Sequence, residues 1–103
     1  MRLNRRYQKW LHSYEEDSDD LKVFRPASYE FPLRYSREAM TFKEGGGFIL
    51  HDIAPDNTRI RIPGSWKLID HTKLEISLSS EKKENLMIEV ERIHCKALII
   101  KKL

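Results

Sequence analysis

From Arg37 onward the chain is a succession of short segments in which apolar and polar residues alternate. They are separated by turn-forming residues at Gly45-Gly46-Gly47, Pro63-Gly64, Asp70-His71-Thr72 and His94-Cys95-Lys96. A period of two puts successive side chains on opposite faces of an extended strand, and strands at such short intervals pair with their sequence neighbours. The pattern predicts an all-β antiparallel meander, which at this length closes into a small barrel or curls into a half-barrel. With 103 residues there is room for one hydrophobic core, so residues 1–103 are expected to form a single domain.

The clearest strand is Lys73 to Ser79, with Leu74, Ile76 and Leu78 on one face. Asn85 to Glu91 repeats it with Leu86, Ile88 and Val90, and Ala97 to Lys102 is strongly β-prone. These three are expected to be consecutive neighbours. Upstream, Arg37 to Lys43 places Met40 and Phe42 together, and the triple glycine turns the chain into Phe48 to Ile53. One phase of that strand turns Phe48, Leu50 and Asp52 inward; the other buries Ile49, His51 and Ile53. Ile62-Pro63-Gly64-Ser65 suits a type II turn, with a strand starting at Trp66 and Leu68.

The first segment is ambiguous in period. Leu3, Tyr7, Trp10, Leu11 and Tyr14 fall at helical spacing, while Trp10, His12 and Tyr14 alternate as in a strand, which is the favoured assignment. About seven strands result. Residues 15–35 are left as a long connection with a solvated acidic start. Val23, Phe24, Tyr29 and Phe31, stiffened by Pro26 and Pro32, are too apolar to stay in water, so its second half is expected to pack across the barrel.

The net charge of +3 comes from abundant, interspersed residues of both signs, as on an ordinary solvated surface, and implies no nucleic-acid partner. A single cysteine, Cys95, excludes an internal disulfide framework and cysteine-rich zinc patterns, which points to a reducing compartment, the cytoplasm. The basic start, Met1 to Arg6, is followed by no apolar run, so neither a secretory signal nor a membrane span is expected.

Chemistry-bearing residues are present without the spacing that catalysis needs. The acidic run around Glu15, Glu16 and Asp17, with His12 nearby, lacks the alternating oxygen ligands and glycine of a calcium loop, and no metal is expected there. Adjacent carboxylates in an extended run point apart rather than flanking a bond. His94 beside Cys95 raises a nucleophile reading, but neighbouring residues seldom face each other, and Cys95 is expected as a small buried apolar residue. A general acid–base role for His12 with Glu15 requires both side chains on one face. Asp70-His71 fits a hairpin turn, and the triple glycine has no helix after it to cradle a phosphate. No catalytic residue and no cofactor is assigned.

One set of residues carries a resemblance over nearly the whole chain. Trp10-Leu11-His12-Ser13-Tyr14-Glu15-Glu16-Asp17 is followed by Phe24-Arg25-Pro26, Tyr29, Phe31 and Pro32. Arg37, Phe42, Gly47-Phe48, Ile53-Ala54-Pro55 and Gly64-Ser65-Trp66 complete the pattern. This order resembles a family of small bacterial lipocalin-like proteins of uncharacterised function. The resemblance implies a lipocalin-like barrel and no particular activity. Relatives of that pattern carry a glycine where this chain has Gln8, and an Arg-Gly-Arg triplet of which only Arg37 matches by position, with Arg34 nearby.

The remaining candidate site gathers Arg25, Arg34 and Arg37 with Tyr29, Phe31, Tyr35 and Trp66 at one barrel end. Guanidinium groups near aromatic faces hold anionic or planar ligands. They also latch long loops by bonding carbonyls and stacking on rings. The expected function is non-enzymatic binding of a small ligand by Arg25, Tyr29, Phe31, Arg34, Arg37 and Trp66, in a monomer or weak homodimer. The competing expectation is a protein-interaction module that uses an exposed strand edge or the aromatic loop.

Overall fold

The computed structural model describes residues 7–33, 37–56, 58–79 and 85–103. Eight strands, β1 (Lys9–His12), β2 (Leu21–Pro26), β3 (Ala39–Phe42), β4 (Gly47–Ile53), β5 (Arg59–Leu68), β6 (Lys73–Leu78), β7 (Leu86–His94) and β8 (Ala97–Lys102), form one antiparallel sheet. The sheet closes in the order β1-β2-β8-β7-β6-β5-β4-β3. This is the expected all-β meander, closed into a lipocalin-like barrel.

From β3 to β8 each strand pairs with the next. Closure comes from the N-terminal hairpin, which slots between the ends of that meander: β2 pairs with β8 and β1 with β3. Every strand therefore has a neighbour on both sides. The free edge that an added strand would need is absent among the described residues, which removes that form of the protein-interaction reading.

The barrel has eight strands rather than seven because β2 lies within the segment read as a connection. Its alternation is hidden: Val23 and Phe24 are consecutive and both buried. Phe24 points into the core, whereas Val23 is outside the core cluster and is covered by the 3-10 turn at Tyr14–Glu16, with its N–H donating to Asp17 Oδ1 and its carbonyl accepting from Ser13 N–H. A strand buried on both faces loses its period-two signature.

Pro63 and Gly64 lie inside β5 and form no turn between strands. Gly64 faces Phe48 of β4 and Leu78 of β6, where β5 passes from pairing along β4 to pairing along β6. The β6 backbone comes so close that a Cβ at Gly64 would overlap the Ser77 carbonyl oxygen. Glycine serves this barrel corner by permitting close backbone approach. Pro63 donates nothing to the ladder, but its carbonyl accepts from Ser79 N–H.

The interior is filled. Trp10, Phe42, Phe48, Leu74 and Ile76 are almost completely buried, and Phe24, Met40, Leu50, Ile88 and Leu98 belong to the same cluster. In β4, Phe48 and Leu50 face inward and His51 outward, the first of the two phases. In β7 a bulge between Val90 and Arg92 resets the phase and returns Ile93 to the core. Cys95, expected to be buried, is exposed in the turn between β7 and β8, where Lys96 N–H donates to His94 Nδ1. Connections between strands run over the surface, and Cys95 lies at the tip of one.

Candidate functional site

Since β1 lies between β2 and β3, the connection from Pro26 to Ala39 has to pass β1. Two arginines fasten it. Arg25, outward on β2, donates to both carboxylate oxygens of Glu16 at 3.0 and 2.5 Å and to the Lys96 carbonyl, and its guanidinium lies 4.8 Å from the Tyr29 ring centre. Arg37 donates to both oxygens of Glu15 at 2.8 and 2.6 Å and to the carbonyls of His12 and Pro32, with its guanidinium 4.6 Å from the Phe31 ring centre. Tyr29 and Phe31 meet edge to face at 4.9 Å. Bidentate arginine–carboxylate pairs with stacked rings make a geometrically specific clasp.

The clasp has an electrostatic signature. The Arg25 guanidinium holds the Glu16 carboxyl at about 2, down from 4.5, with help from Ser13 and Tyr29 against the opposing effect of burial. Arg25 and Arg37 are raised in turn, chiefly by their hydrogen bonds to Glu16 and Glu15. The two adjacent carboxylates do point to different arginines, but they do so from the 3-10 turn at Tyr14–Glu16 and not from the extended run that the sequence suggested. His12 points into the barrel, stacked between Tyr14 and Phe24 at 3.8 and 4.7 Å, and its Nε2 lies 2.8 Å from Asp17 Oδ2. Glu15 faces outward to Arg37, so His12 and Glu15 do not share a face.

Arg25, Tyr29, Phe31 and Arg37 are thus brought together as expected, but against the outer wall rather than across the barrel end. Trp66 is not with them: it packs on Tyr7 and Phe42, and its indole N–H donates to the Lys43 carbonyl beside the triple-glycine turn. Its strand leaves β4 at Ser65, which carries it away from the connection. Arg34 and Tyr35 lie outside the described residues.

Beside the clasp lies a cleft of about 600 Å3 that the sequence pattern did not reveal. Its floor is the outer face of four strands. Leu11, Ala39, His51 and Arg61 stand side by side there, one from each of β1, β3, β4 and β5. At the ends of β4 and β5 the cleft reaches Asp52 and Ile60, which are in phase with the inward Leu50 and Ile62. Phe31, Pro32 and Leu33 form one wall, and Ala39 is buried beneath them. Leu11, Phe31, Leu33, Ile53 and Ile60 give the cleft an apolar side, and Lys9, Arg37, Arg59 and Arg61, with Asp52, a charged one. Arg37 is neutralised by Glu15, whereas no ion pair holds Lys9, Arg59 or Arg61 among the described residues. His51 Nε2 is 2.8 Å from Thr41 Oγ1. Burial, then the charges of Lys9 and Arg61, push its imidazole below the usual histidine range.

One signal for this cleft was present in the sequence. Arg59-Ile60-Arg61-Ile62 alternates with period two, which marks the start of β5 once Pro63-Gly64 is not taken as its boundary. The molecule is a closed eight-stranded antiparallel barrel with a filled interior and a basic cleft on its wall. Comparison with protein-family models, curated proteins and solved structures gave no match. Among the described residues no cluster of three or more His, Cys, Asp or Glu could hold a metal ion, and no helix is long and apolar enough to cross a membrane.

Proposed function

We propose that this protein is a non-enzymatic binding protein whose small ligand sits in the outer-wall cleft beside the clasped 27–33 segment. The observation that carries the reading is a filled barrel interior next to a cleft whose size falls within the ordinary range of small-molecule sites. A mostly apolar concavity with a few convergent polar groups is the usual form of such a site. Phe31 and Arg37 keep a place in it, while Arg25 and Tyr29 hold the connection that forms its wall. The non-enzymatic part is supported by the separation of His12 from Glu15 and by the engagement of Glu15 and Glu16 with separate arginines. The closed barrel agrees with the resemblance to small bacterial lipocalin-like proteins. The cysteine usage fits a cytoplasmic setting.

Native mass spectrometry of protein freshly purified from cell extract tests the reading. Wild type is expected to retain a reproducible extra mass, and Arg61→Glu to lose it while keeping its circular dichroism spectrum. A wild type free of any adduct, or an adduct equally retained by Arg61→Glu, contradicts this site.

A further inference from the structure

We infer that the cleft ligand is a phosphate monoester on a small apolar or aromatic body, and that His51 takes up a proton as the phosphate binds. The inference rests on the reading of the cleft as the ligand site and names what that site selects.

The charge balance of the lining comes first. Arg37 is cancelled by Glu15. Lys9, Arg59 and Arg61 then stand against Asp52 alone, leaving an excess of about two positive charges before His51 is counted. A phosphate monoester carries roughly −1.5 to −2 near neutral pH and three strong acceptor oxygens. A carboxylate supplies half that charge and leaves one cation unmatched. Arginine forks match phosphate oxygens in a bidentate manner, and a lysine adds a point charge.

The apolar side of the same cleft, Leu11, Phe31, Leu33, Ile53 and Ile60, has no use for a bare ion. Leu33 is fully exposed and Ile60 well exposed, so a ligand body resting on them would remove apolar surface from water. The ligand therefore has two chemically distinct ends.

His51 sits at the junction. It is faced by Lys9 from β1, by Thr41 from β3 and by Arg61 and Arg59 from β5, with Asp52 next to it on β4 and the neutralised Arg37 at the cleft wall. In the free protein burial, and then the charges of Lys9 and Arg61, disfavour the imidazolium. A dianion lying among them reverses the local field and favours it, so binding draws a proton onto the ring.

The test is an NMR titration of the full chain with phenyl phosphate, benzoate, benzyl alcohol and inorganic phosphate. The backbone amides of Leu11, His51 and Arg61 and the ring protons of His51 are followed. Phenyl phosphate is expected to bind at least about tenfold tighter than benzyl alcohol and tighter than inorganic phosphate, with benzoate between. The His51 ring is expected to titrate at higher pH in the phenyl phosphate complex. Arg61→Glu should weaken phenyl phosphate by about tenfold or more, and Lys9→Gln gives a milder second variant in the same direction. Benzyl alcohol binding as well as phenyl phosphate, or a His51 titration that does not move, overturns the phosphate assignment while leaving the cleft a binding site. Inorganic phosphate matching phenyl phosphate overturns the apolar body. Silence of the cleft amides toward all four probes overturns both this inference and the proposed function.

Discussion

Gly64→Ala is expected to cost about 3 kcal/mol or more of folding stability, a large effect for the addition of a single methyl group. Its added carbon would overlap the Ser77 carbonyl oxygen and lie 3.2 Å from the Leu78 Cα, both backbone atoms that cannot rotate away. Relief requires β5 and β6 to separate at the point where β5 passes from one partner to the next, which breaks the Gly64–Leu78 pairing. For a domain of this size the loss corresponds to a drop in Tm of roughly 12 to 24 °C. Thermal unfolding by circular dichroism checks it, with Gly45→Ala as a control. Nothing lies near a Cβ at Gly45, so that variant meets only the strain of a positive φ. A Gly64→Ala melting curve within a few degrees of wild type would show that the β5–β6 corner is not the close approach described.

The second large effect belongs to the clasp and depends on pH. Glu16 has its carboxyl lowered from 4.5 to about 2, chiefly by its hydrogen bonds from Arg25. A carboxyl whose folded value is depressed contributes stability that is fully present above the unfolded value and is lost as pH falls through the folded one. The full shift would correspond to about 3 kcal/mol. With 30% of the side chain open to water, screening reduces that to roughly 1–2 kcal/mol. Denaturant unfolding at a series of pH values should show wild type more stable than Glu16→Gln at neutral pH. The difference should stay constant down to about pH 5, shrink progressively below it and vanish only below about pH 2. A difference independent of pH would mean that Glu16 acts through packing, without its charge.

The sequence disclosed the elements whose burial has one simple cause. Leu74, Ile76, Ile88 and Val90 alternate because β6 and β7 have one face in the core and one in water, and the Asp70 turn announced itself through an acceptor for the N–H groups of Thr72 and Lys73. Elements that serve two neighbours were hidden. In β2, Val23 is covered by the 3-10 turn and Phe24 by the core, so the alternation disappears. In β5, Pro63 and Gly64 have the composition of a turn but serve as a barrel corner, because the same lack of a Cβ that suits a turn also permits two backbones to touch.

The arginine–aromatic grouping was legible as a set of residue types, and Arg25, Tyr29, Phe31 and Arg37 do meet. Its partners, Glu15 and Glu16, were visible only as an acidic run. The cleft was less legible still, because Leu11, Ala39, His51 and Arg61 become neighbours only when β1 inserts beside β3, a pairing that no local pattern encodes. Outward residues of four strands look like solvated surface until a connecting segment passes over them and builds a wall.

The central claim is that ligand binds on the outside of a filled barrel, and intermolecular NOEs measured on the phenyl phosphate complex test it most directly. The phenyl ring protons are predicted to show contacts with the methyl groups of Leu11 and Ile53 in the cleft. Contacts with the methyls of Ile76 and Ile88, which lie in the barrel interior, would contradict the account.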